Sequence, residues 1–180
     1  MATPQLYQRV IAPAMHEIGR LWQRGALTVA DEHLATALTN RVLAALRRPS
    51  GEGPVDADGA GVKRGRALLA AIEGERHALG LRMAADVLED AGYESLYLGA
   101  DVPTDALLRA ADTFSPDLVA LAATLPSLAP RLQAVAGELR RAYPRLGLLV
   151  GGQAASPHIG EGMLVQDLEL LPERMARLQV

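Results

Sequence analysis

Apolar positions in the first part of the chain recur at helical spacing. Over 3–22, Leu6, Val10, Ala14, Ile18 and Leu21 lie three or four residues apart, the interval at which side chains share one helix face. Thr3 suits the cap, Pro4 suits a first turn whose N–H has no partner anyway, and Pro13 predicts a kink. Gln23-Arg24-Gly25 interrupts the pattern. Thr28-Val29-Ala30-Asp31 then has the spacing of a capping box ahead of a second helix reaching about Leu46. The expected unit is a helical hairpin.

From 48 to 61 the sequence is Pro, Gly, Ser and acid with few apolar residues, the composition of a solvated linker. The chain therefore reads as a helical cap over 1–48, a linker over 49–64 and a second domain over 65–180. In that domain short apolar runs at 66–72, 95–98, 117–122 and 146–150 predict buried strands, with a weaker fifth at 165–168. Helices are expected over 78–91, 104–113 and 129–143, and a last one from Pro172. This alternation predicts an α/β domain with a five-stranded parallel sheet and right-handed crossovers. Ligands bind such sheets beyond the carboxyl ends of the strands, so the loops after Ile72, Leu98, Ala122 and Val150 are the places for a site.

Composition narrows the chemistry. Residues of the apolar class make up 49% of the 180, with one Trp and one Phe, so the core is aliphatic and Trp22 stands apart. A net charge of −3 and scattered basic residues offer no field for nucleic acid, and direct DNA binding is not expected. With no cysteine there is no disulfide, thiolate metal site or cysteine nucleophile, leaving four histidines for any metal chemistry. Neither a secretory h-region nor a run of roughly 18 apolar residues is present, so a cytoplasmic location and no membrane association are expected.

The loop after the first strand, Glu73-Gly74-Glu75-Arg76-His77-Ala78-Leu79-Gly80, has neither a dinucleotide fingerprint nor a phosphate loop. It does place an imidazole beyond a strand end, with a carboxylate two positions before it. A metal-ligating histidine usually donates its other ring N–H to such a group, which fixes the tautomer and raises basicity. Gly80 allows close approach of backbone or ligand. By themselves these residues also suit a polar histidine ahead of a helix. His16 reads as a surface or interhelical residue, and His158 as a loop residue able to touch a ligand.

This segment resembles the Asp-x-His-x-x-Gly signature of the cobalamin-binding domains found in methionine synthase, corrinoid methyltransferase proteins and cobalamin photoreceptors. The resemblance implies a flavodoxin-like (Rossmann-like) fold under the helical cap. It also implies His77 as lower cobalt ligand in place of the cofactor's own base, with Glu75, Arg76 and Gly80 beside it and the displaced nucleotide tail running along the sheet. The family's Ser-x-Leu or Ser-x-Thr after the third strand reads Ala122-Ala123-Thr124 here, so Thr124 is kept and the serine's hydrogen bond is lost. The Gly-Gly after the fourth strand is matched by Gly151-Gly152, where a side chain would collide with the tail. Taken singly, Thr124 also suits a plain loop and Gly151-Gly152 a strand-ending turn.

In the hairpin, Trp22-x9-Glu32-His33 is similar to the pattern of the adenosylcobalamin photoreceptor regulators. The resemblance places the tryptophan beside the adenosyl group and the Glu-His pair on the adenosine or the corrin edge. Without it, Trp22 is equally a staple between helices and Glu32-His33 a solvated first turn. The regulators have a histidine directly after the tryptophan that captures cobalt after photolysis. Gln23 stands there, so that ligation is not expected.

The function implied is a non-enzymatic cobalamin-binding light or cofactor sensor, with adenosylcobalamin as the expected form and an unidentified downstream signalling partner. A linear tetrapyrrole such as biliverdin is a possible second chromophore. Because the regulators' cap usually has four helices and only two precede the linker, an apolar face needs a partner, and a homodimer or higher homo-oligomer through the caps is expected. The alternatives are a corrinoid shuttle passing methyl groups between methyltransferases and a flavodoxin-like interaction module without cobalamin.

Overall fold

The computed structural model describes residues 1–47, 64–160 and 162–177. They fall into two compact units, one at each side of the expected linker, which itself lies almost wholly outside the described residues.

The first unit is a helical hairpin. α1 (Thr3–Leu6) runs through a π-helical stretch at Tyr7–Ile11 into α2 (Ala12–Gln23), so the chain meets Pro13 by widening rather than by a simple kink. Proline has no N–H and its ring clashes with the carbonyl four residues back, and a wider turn relieves both problems. The extra residue also rotates the apolar face: Val10 and Ala14 are exposed, against the expected stripe, while Tyr7 is fully buried. α2 ends in a Schellman arrangement, with Gly25 at φ +72°, its N–H bonded to the Trp22 carbonyl at 2.9 Å and the Ala26 N–H to that of Leu21 at 2.9 Å. Thr28 caps α3 (Val29–Leu46) with the expected box. Its hydroxyl accepts from the Asp31 N–H at 3.2 Å and its own N–H donates to the Asp31 carboxylate at 2.9 Å.

The second unit is the α/β domain. Its elements are β1 (Gly65–Ile72), α4 (Leu79–Asp90), β2 (Tyr93–Val102), α5 (Thr104–Phe114), β3 (Leu118–Ala122), α6 (Ala129–Ala142), β4 (Gly147–Gly151), β5 (Met163–Val165) and α7 (Leu171–Arg177). The strands pair in parallel in the order β2-β1-β3-β4-β5, the flavodoxin-like order, whose direction reverses between β1 and β3. β1 and β3 lie between other strands and under helices, so Ala67–Ile72 and Leu118–Ala122 are buried without alternation. The fifth strand sits two residues earlier than its apolar pattern predicts. Leu168 is buried from a loop instead, because packing rewards the apolar side chain whatever the backbone does. Among the described residues no helix is long and apolar enough to cross a membrane.

β2 departs most from expectation. It starts two residues earlier and ends four later than its apolar core, and it gains a residue on β1 twice: Tyr97 pairs with Leu69, Gly99 with Ala70 and Val102 with Ile72. Such bulges bend a strand and re-aim its side chains.

Candidate functional site

His77 stands in the loop between β1 and α4, at the point where strand order reverses. A turn closes the end of β1, with the Glu75 N–H bonded to the Ile72 carbonyl at 2.9 Å and Gly74 at φ +89°, the left-handed position of a type II turn. That turn drives Glu75 inward until it is fully buried, while His77 keeps 61% of its side chain exposed.

A buried carboxylate needs donors on both oxygens, and Glu75 has them. Oε1 accepts the His77 main-chain N–H at 2.7 Å and the His77 ring Nδ1–H at 2.6 Å. Oε2 accepts the Thr124 N–H and, at 3.4 Å, the Leu125 N–H. One side chain thus joins the loops after β1 and β3 across the switch point. Burial by itself would raise the carboxyl pKa, but the Thr124 and His77 amides and the His77 ring outweigh it and hold the group below its ordinary value of 4.5.

The tautomer follows. An ionised carboxylate only accepts, so Nδ1 carries a proton, and in the neutral ring the lone pair is on Nε2. Nε2 has no hydrogen-bond partner among the described residues, and the ring stands at the open end of the sheet. This is the arrangement of an imidazole prepared to bind a metal through one nitrogen while a carboxylate holds the other. Among the described residues no three His, Cys, Asp or Glu side chains gather into a chelating group. One imidazole nitrogen at the sheet's open end, with a carboxylate on the other, fits the single axial position that the cobalamin resemblance asks of the protein.

The other sequence-derived candidates fall around this dyad or in the helical unit. Arg76 and Gly80 are exposed beside it, and a Cβ on Gly80 would meet nothing within 4 Å, which leaves room on that flank. Ala122 is buried at the end of β3, while Thr124 contributes its amide to Glu75 rather than acting as a plain loop residue.

Gly151 pairs with Ala122 across the sheet, and a Cβ there would lie 3.3 Å from the Val165 carbonyl oxygen. At Gly152, φ is +88° and a Cβ would fall 2.1 Å from the Ala123 carbonyl oxygen, so the protein's own backbone already demands glycine. Gly152→Ala is accordingly expected to destabilise the domain by roughly 2–4 kcal/mol, read as a lowered midpoint in urea. A midpoint equal to that of the wild type would show that the loop yields.

In the helical unit Trp22 is 45% exposed. His33, itself 75% exposed, has its Nδ1 2.6 Å from Glu32 Oε2, and Glu32 Oε1 accepts from the Thr36 hydroxyl at 2.9 Å. The Glu32-His33 pair thus repeats the carboxylate-to-Nδ1 contact of Glu75 and His77. His16 and His158 are exposed. Sequence reasoning missed Asp101, whose side chain and main chain both bond the His77 loop. Its one signal was Gly99 inside an apolar strand, which marks a bulge.

The B12 binding domain family matches residues 65–165, and a second family of the same description matches residues 1–47. The chain is 33% identical over 153 residues to the HTH-type transcriptional repressor CarH of Myxococcus xanthus, covering 84% of this chain and 48% of the repressor. It spans about half the length of that relative. It is 25% identical over 154 residues to dimethylamine corrinoid protein 1 of Methanosarcina acetivorans, covering 84% of this chain and 70% of that one. Among solved structures it is similar in fold to the monomethylamine corrinoid protein of Methanosarcina barkeri, with a TM-score of 0.74 at 14% identity over 99% of this chain and 85% of the other.

Proposed function

The chain belongs to the B12 binding domain family, and from that membership we propose that it is a sensory module holding adenosylcobalamin with His77 as lower ligand to cobalt. The observation that carries this reading is the Glu75-His77 dyad at the switch point, which engages Nδ1 and leaves the Nε2 position available to a metal at the sheet's ligand-binding edge. When bound, the cofactor supplies a cobalt–carbon bond that light can break. The chain's own residues bind it, orient it and answer to its loss.

In this reading Glu75 fixes the imidazole, and Arg76 and Gly80 flank the macrocycle. Ala122, Thr124, Gly151 and Gly152, at the ends of β3 and β4, receive the nucleotide tail. Trp22, Glu32 and His33 attend the upper ligand, as their likeness to the photoreceptor regulators implies. Loss of that ligand changes what these three contact, and the helical unit shifts its preferred state by the difference in contact energy. A linear tetrapyrrole is a variant of this reading, and its sign is an absorption band that free cobalamin lacks.

α3 gives the response a route. Leu34, Leu38, Val42 and Leu46 are 58%, 48%, 49% and 43% exposed while Leu43 is buried, so the helix is apolar on both faces and calls for a partner. We assign that role to a second copy, whose association passes the change to a downstream partner. A second reading, a corrinoid carrier for methyl transfer, is favoured by the corrinoid-protein relative.

One experiment separates the readings: spectra and light scattering of the full chain with adenosylcobalamin, in the dark and after green light. The sensor predicts a histidine-ligated spectrum, photolysis and a changed assembly. Binding with photolysis but unchanged assembly leaves the carrier, and absence of binding overturns both.

A further inference from the structure

Two non-glycine residues among those described have positive φ, Asp101 at 55° and Ser115 at 49°. Ser115 ends α5, where a left-handed residue is the common cap. Asp101 ends no helix. It lies in the second bulge of β2, between Gly99, which pairs with Ala70, and Val102, which pairs with Ile72 at the end of β1, and its unusual backbone is explained by what it grips. Its carboxylate Oδ1 accepts the Gly74 N–H at 2.7 Å, and its own N–H donates to the Glu75 carbonyl at 2.8 Å. The Gly74-Glu75 dipeptide is therefore held at its front by a side chain and at its back by main chain, both from one residue.

We propose that Asp101 is a positioning residue for the His77 imidazole, a role that rests on reading His77 as the cobalt ligand. Glu75 can aim the ring only if its own backbone is fixed, and it is fixed from three sides. The Ile72 carbonyl closes the turn, the β3 loop amides hold the carboxylate, and Asp101 holds both flanking peptide groups. The first is a main-chain contact that truncating a side chain leaves in place, and the second is lost only by changing Glu75 itself. Asp101 supplies the side-chain contact, and aspartate tolerates the left-handed conformation better than most residues. Strained backbone of this kind persists where surrounding structure over-determines it, and it gathers at functional sites.

Three substitutions separate side chain from backbone. Asp101→Asn keeps an acceptor and tolerates positive φ. Asp101→Gly keeps the backbone freedom and loses the acceptor. Asp101→Ala loses both. In the cofactor-free full chain, long-range nitrogen NMR of the His77 ring reports the tautomer. With methylcobalamin added, the visible spectrum reports the histidine-ligated fraction and titration reports affinity.

The proposal expects Asn to keep the wild-type tautomer and spectrum, and Gly and Ala to lose the fixed Nδ1–H tautomer. Affinity for methylcobalamin is expected to fall about 10-fold in those two, the scale on which a ligand's supporting contacts act. Gly and Ala variants with the wild-type ring signal and spectrum would overturn it, as would an Asn variant impaired as much as Ala. If the wild type takes up no methylcobalamin, the function proposed above fails on that arm alone. The ring signal of the cofactor-free variants still decides whether Asp101 sets the imidazole.

Discussion

Replacing His77 by alanine is expected to leave a folded protein that takes up cobalamin weakly and without protein nitrogen on cobalt. The ring is mostly exposed, so its removal opens no cavity in the core. Glu75 retains the main-chain amides of His77, Thr124 and Leu125 as donors, so the loop keeps most of its ties and thermal stability changes little. Affinity is expected to fall by at least about 10-fold, because the macrocycle's other contacts remain while the axial bond is lost. The visible spectrum should become that of a corrinoid whose lower position holds its own base or water. A spectrum identical to that of the wild type would remove His77 from the account.

Glu75→Ala is expected to do more damage to the protein itself. The carboxylate is fully buried and accepts from four N–H groups, two of them main-chain amides of the β3 loop. Each buried donor left without a partner costs about 1–3 kcal/mol. Local relaxation toward water recovers part of this, so a net loss of roughly 3 kcal/mol is expected. Glu75→Gln keeps the volume but turns an amide donor toward existing donors, so it is also destabilising.

The pH dependence has a fixed sign. Because the folded carboxyl titrates below its ordinary value, its contribution to stability is fully present above pH 4.5. It is lost as pH falls below that value through the folded pKa. Glu75→Gln should therefore flatten the acid limb of the curve of stability against pH. An acid limb as steep as that of the wild type would show that other carboxylates dominate it.

Much of the fold could be read from local rules. The Thr28 capping box, the continuous apolar runs of β1 and β3 and the intervening helices each obey a short-range pattern, while the flavodoxin-like fold was implied by the resemblance of the His77 loop. The Glu75-His77 pairing was legible for the same reason, since two residues in one loop cannot be far apart. What escaped was set by non-local geometry. The π-helical widening before Pro13 moved the buried face onto Tyr7, and no period of 3.6 residues announces that shift. Asp101 lies 27 residues from the Gly74 it holds, and only two bulges in β2 bring them together. Gly152 looked like a residue spared for a ligand, yet the nearest claim on its space is the Ala123 carbonyl. Thr124 was expected among the cofactor-binding residues or as a plain loop residue, and it serves Glu75 through its backbone amide.

The central claim is a bond from His77 Nε2 to cobalt, and electron paramagnetic resonance reads it directly. Protein containing nitrogen-15 histidine, loaded with natural-abundance cobalamin in its paramagnetic cobalt(II) form, reports the identity of the axial nitrogen through its hyperfine splitting. The account predicts a doublet from nitrogen-15, absent in the His77→Ala variant. A triplet in the labelled wild-type protein would show the cofactor's own base still on cobalt and would contradict it.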